Sequence, residues 1–307
     1  RGESKGGGWS EQDAGKLRAA EQTGSSLSFI GSSLIIITYL SFPSLRKFAF
    51  KLVAFLSLSD ALASFGDFIQ PHEDSCGVCL LQSFIVSIFD LSSVLWTACI
   101  AHCLVRAIRY RDGDVQRYEM RYHAIAWGIP FFLFLLPLFS KSYGYEYGAC
   151  WILSTAPVLR FVQFYIPLWI VIGYNVWNIS TLIFHLRGLV LSTQDDSQAN
   201  TDLQVFWRLA LYPVILIICW FFGTINRIYN SLHPDEPIFA LYFLHKFFGS
   251  MQGFFNFLVY GMSTAVRAKL YEVLSWTLSL VGIKLRGANS EEMELTKYSI
   301  SREEGES

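Results

Sequence analysis

The sequence predicts an all-α membrane protein: a seven-transmembrane helix bundle, N-terminus outside, with an amphipathic helix after the seventh span. Three observations predict it. First, 16% of the 307 residues are charged and 52% are hydrophobic, whereas a soluble domain carries about 25% charged residues. Second, seven runs approach the ~20 mostly apolar residues that a bilayer crossing needs: 24–42, 49–70, 79–105, 123–140, 158–185, 205–230 and 238–262. Third, Lys and Arg gather in alternate loops, as they do on the cytoplasmic side of membrane proteins.

Residues 1–23 read as an extracellular arm without the apolar core of a signal peptide. The bundle occupies 24–262. Span 1 is the weakest, because Ser, Thr and Gly dilute it. The loop after it holds Arg46, Lys47 and Lys51, and the loop after span 3 holds Arg106, Arg109, Arg111, Arg117 and Arg121. The loop after span 2 has no Lys or Arg, only His72, Glu73 and Asp74. This bias puts the N-terminus outside and the C-terminus inside, although the arm itself carries basic residues. Segment 187–204 reads as a short polar loop. Residues 263–285 read as an amphipathic helix on the inner leaflet, with Leu270, Val273, Leu274 and Trp276 toward lipid. The acidic tail 286–307 reads as disordered, with Thr296, Ser299 and Ser301 as phosphosites.

Cys79 begins span 3 and Cys150 lies between spans 4 and 5, both on the predicted outer side. Thiols oxidise there, and a bridge would tie that loop to the top of helix 3. The alternatives are two free cysteines, or Cys76 in place of Cys79. Cys99, Cys103 and Cys219 lie within spans as small core residues.

Seven helices, an outer N-terminus and that cysteine pair describe a G-protein-coupled receptor. "LRKFAFKLVAFLSLSDAL" (45–62), "CLLQSF" (79–84) followed by "SSVLWT" (92–97), "YIPLWIVIGYNVW" (165–177), "YPVILIICWFFGTINRI" (212–228) and "GFFNFLVYGMSTAVR" (253–267) resemble the family of slime-mould cyclic AMP receptors and their plant receptor-like relatives. The resemblance covers about residues 30 to 270. It implies ligand sensing and coupling to a heterotrimeric G protein at the plasma membrane. It leaves the ligand open. The inner end of helix 3 reads "AHCLVRAIRY" (101–110), with no Asp-Arg-Tyr triplet. Arg106, Arg109 and Arg111 are therefore candidates for G-protein contact, with anchoring at lipid headgroups as the alternative.

Asp60, Ser93, Asn256 and Tyr260 resemble the polar core of rhodopsin-like receptors, where the matching residues surround a sodium ion. One helical turn sets Asn256 and Tyr260 on one face. A charged Asp60 needs a cation or several donors; a structural and switching role is favoured over sodium binding. Trp220 resembles the tryptophan that floors many receptor pockets, and Pro213 is placed to kink helix 6.

Asp90 lies eleven residues past Cys79, about 16 Å down helix 3 at 1.5 Å per residue. Lys246 lies about eight residues, or about 12 Å, into helix 7. Similar depth makes them a candidate ion pair in one pocket, opened by a polar or anionic ligand or simply holding helices 3 and 7. A third reading makes Lys246 a Schiff-base lysine with Asp90 as counterion. His245, Arg227 and Gln82 lie toward the same mouth. Arg227 would meet a ligand phosphate or carboxylate, or else extend to the interface.

The expected function is a G-protein-coupled receptor that senses an extracellular small molecule and activates its G protein through helix 6. The alternative is a retinal-binding or other seven-helix transporter or channel. The expected partners are that ligand, the G protein and membrane lipids. Near-zero net charge gives no case for nucleic acid. No zinc ligand set, cofactor motif or catalytic motif is present, which speaks against an enzyme.

Overall fold

The computed structural model describes residues 10–69, 76–146, 149–192, 197–234, 236–261 and 266–267. The chain parts into two compact units, Arg1–Val259 and Tyr260–Ser307. Helices dominate the first. The expected surface helix 263–285, apart from Val266 and Arg267, and the tail with Thr296, Ser299 and Ser301 lie outside the described residues.

Helix α1 (Glu11–Ser41) begins on a cap: Ser10 is extended and its hydroxyl accepts the amide of Asp13 at 3.2 Å. It ends where Pro43 forces the preceding Phe42 into an extended conformation. The span expected at 24–42 is thus the second half of a longer helix. Residues 11–23 are helical rather than a loose arm, and they pack through Leu17 and Ala20, both buried. Helices α2 (Phe48–Phe68) and α3 (Cys76–Ile108) follow.

Helix α4 covers Val115–Phe139 and contains a π turn at Ala124–Gly128. Helix α5 runs through Pro157–Arg160, a π turn at Phe161–Tyr165 and Ile166–Ser192. Each π turn ends two residues before a proline, Pro130 and Pro167. The proline ring clashes with the carbonyl four residues back, and a wider turn there moves that carbonyl aside. Between α4 and α5 lies an antiparallel hairpin, β1 (Tyr143–Glu146) and β2 (Ala149–Ile152), with Tyr145 opposite Cys150. The all-α expectation missed it. Helix α6 (Ser197–Leu232) continues through Pro213. Most of the loop expected at 187–204 is helical, belonging to the ends of α5 and α6.

The span expected at 238–262 is broken. Helices α7 (Phe239–Ser250) and α8 (Gln252–Gly261) meet at Met251, which leaves helical geometry at φ −89°, ψ 2°. Helices α1 to α6 are the six described helices long and apolar enough to cross a membrane. Their outward faces carry large apolar residues at helical spacing, such as Ile30, Leu34 and Ile37 on α1 and Ile166, Ile170 and Trp177 on α5. Lipid accounts for such a surface where water does not.

Helix α3 is the centre of the bundle, packing on α2, α4, α5, α6 and both strands, while α7 sits between α1 and α6. Its buried side includes Ser83, Ser87, Ser92, Ser93 and Thr97. Such small side chains let neighbouring backbones approach, and two of them satisfy their own hydroxyls on the preceding turn, Ser83 on the Cys79 carbonyl at 2.8 Å and Thr97 on the Val94 carbonyl at 2.7 Å. One close approach is at Gly253 in α8. A Cβ there would meet the hydroxyls of Ser32 and Ser28 and the Cβ of Asp60 at 2.9 Å or less, so only glycine fits.

Candidate ligand-binding site

The hairpin is fixed to α3 at three points. Cys79 and Cys150 form the disulfide, as expected, and Cys76 stays free. The Cys150 amide donates to Gln82 Oε1 at 3.0 Å, and Trp151 Nε1 donates to Ser87 at 2.9 Å. Gln82 also donates to the Ile69 carbonyl, so this expected ligand residue spends both ends of its amide on the scaffold. Burial pushes the Tyr143 hydroxyl above the usual range, so it stays a donor, to the Phe134 carbonyl at 3.2 Å.

Against the hairpin lies a cavity of about 670 Å3, counting the space open at its mouth. The six candidates Asp90, Lys246, Arg227, His245, Gln82 and Trp220 all line it. The structure therefore gathers the residues that the sequence singled out, but it pairs them differently.

Lys246 does not pair with Asp90. Its ammonium donates to Glu21 of α1 at 2.5 Å. Asp90 faces the same cavity and forms no hydrogen bond or ion pair among the described residues, although it feels the charges of Asp67, Asp60, Lys246 and Glu21. Asp67 accepts from Ser25 at 2.6 Å. Equal depth along two helices thus did not imply contact, because a third helix supplied a nearer acid. Neither Glu21 nor Asp67 was singled out. The continuity of a helix capped at Ser10 was the signal for Glu21; an acid in the apolar run "SFGDF" (64–68) was the signal for Asp67.

The other wall is basic and aromatic. Arg227 is buried rather than extended to an interface, with its guanidinium over the rings of Trp151 (5.1 Å) and Tyr242 (5.5 Å). Tyr165 lies close enough to interact with it, yet the hydroxyl and the guanidinium Nε and Nη1 form no well-aligned hydrogen bond. Arg160 is satisfied by the Ile152 carbonyl and by Glu146 at 2.8 Å. His245 Nδ1 meets Asn226 Nδ2 at 3.1 Å.

Trp220 lines the cavity beside Phe164, ring centroids 4.5 Å apart. A hydrogen-bonded chain leaves from it. Its indole donates to Gln252 Oε1 (2.7 Å), Gln252 Nε2 donates to Ser93 (2.6 Å), and Ser93 donates to Asp60 Oδ1 (2.5 Å). Asn256 donates to Asp60 Oδ2 at 2.7 Å. An indole can only donate, which fixes the Gln252 amide and hence the direction of the chain. Sequence reasoning placed Asp60, Ser93 and Asn256 together but missed Gln252, which joins them to Trp220. Tyr260 belongs to the second unit.

At the opposite end of α3, Asp112 accepts from Arg106 Nε and Nη2 (3.0 and 2.7 Å) and from Arg117 (2.8 Å). The Arg106 hydrogen bonds hold its carboxyl below the usual range. Arg106 stacks on Tyr110 and Tyr118, whereas Arg109 and Arg111 are exposed.

Membrane-crossing helices around a disulfide-tied hairpin and a polar cavity define a multi-pass protein of the G-protein-coupled-receptor class. The fold agrees: squid rhodopsin superposes with a TM-score of 0.71 over 96% of each chain at 14% identity. The chain belongs to the slime mold cyclic AMP receptor family, whose profile matches residues 18–281. It is 35% identical to G-protein coupled receptor 1 of Arabidopsis thaliana over 88% of this chain and 85% of that one. It is 30% identical to Cyclic AMP receptor-like protein A of Dictyostelium discoideum over 78% of this chain, spanning 62% of that relative's length. These relatives are receptors, not enzymes.

Proposed function

We propose that the chain crosses the plasma membrane seven times with its N-terminus outside, α7 and α8 together making the last crossing. It senses an extracellular small molecule in the cavity and activates a heterotrimeric G protein. The observation that carries this reading is Arg227: a buried guanidinium in the lining of the cavity, with Nε and Nη1 left without a well-aligned partner. Buried donors are normally satisfied, and a ligand is what would satisfy these.

Trp220 is the link between ligand and bundle. A ligand pressing on it shifts an indole already bonded through Gln252 and Ser93 to Asp60. Hydrogen bonds in series respond together, so the polar core, with sodium as an optional occupant, biases α6 between two positions. The basic end of α3 faces the cytoplasm in this reading, where Arg106, Arg109 and Arg111 meet the G protein. Residues 263–285 lie on the inner leaflet, and the tail 286–307 takes phosphates at Thr296, Ser299 and Ser301.

The test is nucleotide exchange on a G protein in membranes holding the chain, against a ligand screen that includes cyclic AMP, run beside an ion-flux assay. Ligand-driven exchange that Asp90→Asn and Lys246→Ala impair at preserved surface level supports the reading. Flux without exchange overturns it in favour of a channel or transporter, and visible absorption on adding retinal does so in favour of a retinal protein.

A further inference from the structure

The charges in the cavity do not cancel locally, and the pattern of what is left over is informative. Lys246 is neutralised by Glu21 and Arg160 by Glu146. Three cavity-lining groups remain without an ion-pair partner among the described residues: Arg227, Asp90 and Asp67. They do not form an ion pair with each other. Asp67, whose recorded partner is the Ser25 hydroxyl, adds a second acid on Asp90's side. Burying an unpaired charge is costly. A cavity that keeps unpaired groups of both signs apart is matched by a molecule that carries both.

We infer that the cavity takes a small amphoteric ligand, such as an amino acid or short peptide, with its anionic group on Arg227 and its cationic group on Asp90 and Asp67. The inference rests on the reading of this cavity as the ligand site. The two poles are built differently. Trp151 and Tyr242 place their rings beside the guanidinium, and its Nε and Nη1 donors, left without a partner, suit a planar bidentate carboxylate or a phosphate. The acid pole presents the carboxyl groups of Asp90 and Asp67, acceptors suited to an ammonium. Trp220, Phe164 and Val86 give the cavity apolar lining for the part of the ligand that joins the two ends. Cyclic AMP has the anion without the cation and answers to one pole only.

The test uses the full chain in lipid nanodiscs. The probes are the twenty L-amino acids and glycylglycine, their N-acetyl forms (anion only), the matching alkylamines (cation only) and cyclic AMP. Melting temperature and direct binding are read for each. An amphoteric probe should bind at least tenfold more tightly than either of its half-probes. Asp90→Asn should weaken that probe at least tenfold while leaving its N-acetyl form unchanged, and Arg227→Gln should weaken both. Arg227→Lys, which keeps the charge and loses the fork, guards against a misfolded Arg227→Gln. If N-acetyl forms or cyclic AMP bind as tightly as the amphoteric probe, and Arg227→Gln abolishes them while Asp90→Asn does not, the inference falls and the cavity remains the ligand site. If no probe of any class binds, both fall.

Discussion

Replacing Lys246 by Met tests which acid the ammonium serves. The methionine keeps most of the volume, so the perturbation is one of charge. It leaves the Glu21 carboxylate in a cavity that also holds Asp67 and Asp90. Removing one partner of a buried pair costs about 3–5 kcal/mol. The Lys246 and Glu21 side chains retain 19% and 14% exposure, which lets water relieve part of that, so about 2–3 kcal/mol is expected. For a chain of this size that lowers the melting temperature by roughly 3–5 °C. Glu21→Gln added to Lys246→Met removes the stranded charge and should restore stability to within about 1 kcal/mol, a coupling of about 2 kcal/mol. The cycle between Lys246→Met and Asp90→Asn should show a smaller coupling than the Glu21 cycle, because Asp90 feels the ammonium's charge but shares no bond with it. The assay is thermal unfolding of purified protein in nanodiscs for all five variants and the parent. A large coupling to Asp90 with none to Glu21 would refute the pairing and restore the contact suggested by equal depth.

Gln252→Leu should cost about 1–3 kcal/mol, since it strands the buried Trp220 indole N–H, and should reduce agonist-driven nucleotide exchange more than it reduces surface level. Unchanged exchange would show that the Trp220–Asp60 chain carries no signal. Cys150→Ser opens a loop of 71 residues and should cost about 2–4 kcal/mol, seen as a fall in surface yield by flow cytometry. Gly253→Val forces apart α1, α2 and α8 at this close approach and should cost about 1–3 kcal/mol, read as a lower melting temperature. Asp112→Asn should free Arg106 and Arg117 and change basal nucleotide exchange. Because the Asp112 carboxyl lies below its usual value, its pairing is present above the ordinary carboxylate range near 4 and is lost only as pH falls through the lower folded value. The effect of Asp112→Asn should therefore be constant from pH 6 to pH 8, measured as exchange rate against pH.

Much of the bundle was legible because hydropathy reports the lipid-facing surface directly. The Cys79–Cys150 bridge was legible because both cysteines lie on one predicted side, outside the apolar middles of the spans. The break at Met251 was not, since a helix interrupted for one residue keeps its apolar run. The hairpin escaped for a different reason: its strands hold only four residues each, and their register depends on anchorage to α3 from outside the loop. The site was half legible. Depth along a helix follows from counting, so Asp90, Lys246, Arg227 and Trp220 were brought to one cavity. Azimuth around the bundle does not follow from counting, so the partner of Lys246 was missed. Gln252 was passed over because an amide in an apolar run has no strong signature until its two neighbours are known.

The helical start of α1 has a practical side. Through Arg18 it reaches Tyr145 of the hairpin at 2.9 Å, Lys16 lies over the ring of Phe239, and Glu21 holds Lys246. An epitope tag or fusion partner spliced between residues 11 and 23, or an expression vector that begins at the hydropathic boundary near residue 24, would remove or displace one side of the chamber being assayed. A screen run on such a protein would be sampling a differently charged vestibule, and its silence would say nothing about the ligand of the intact chain.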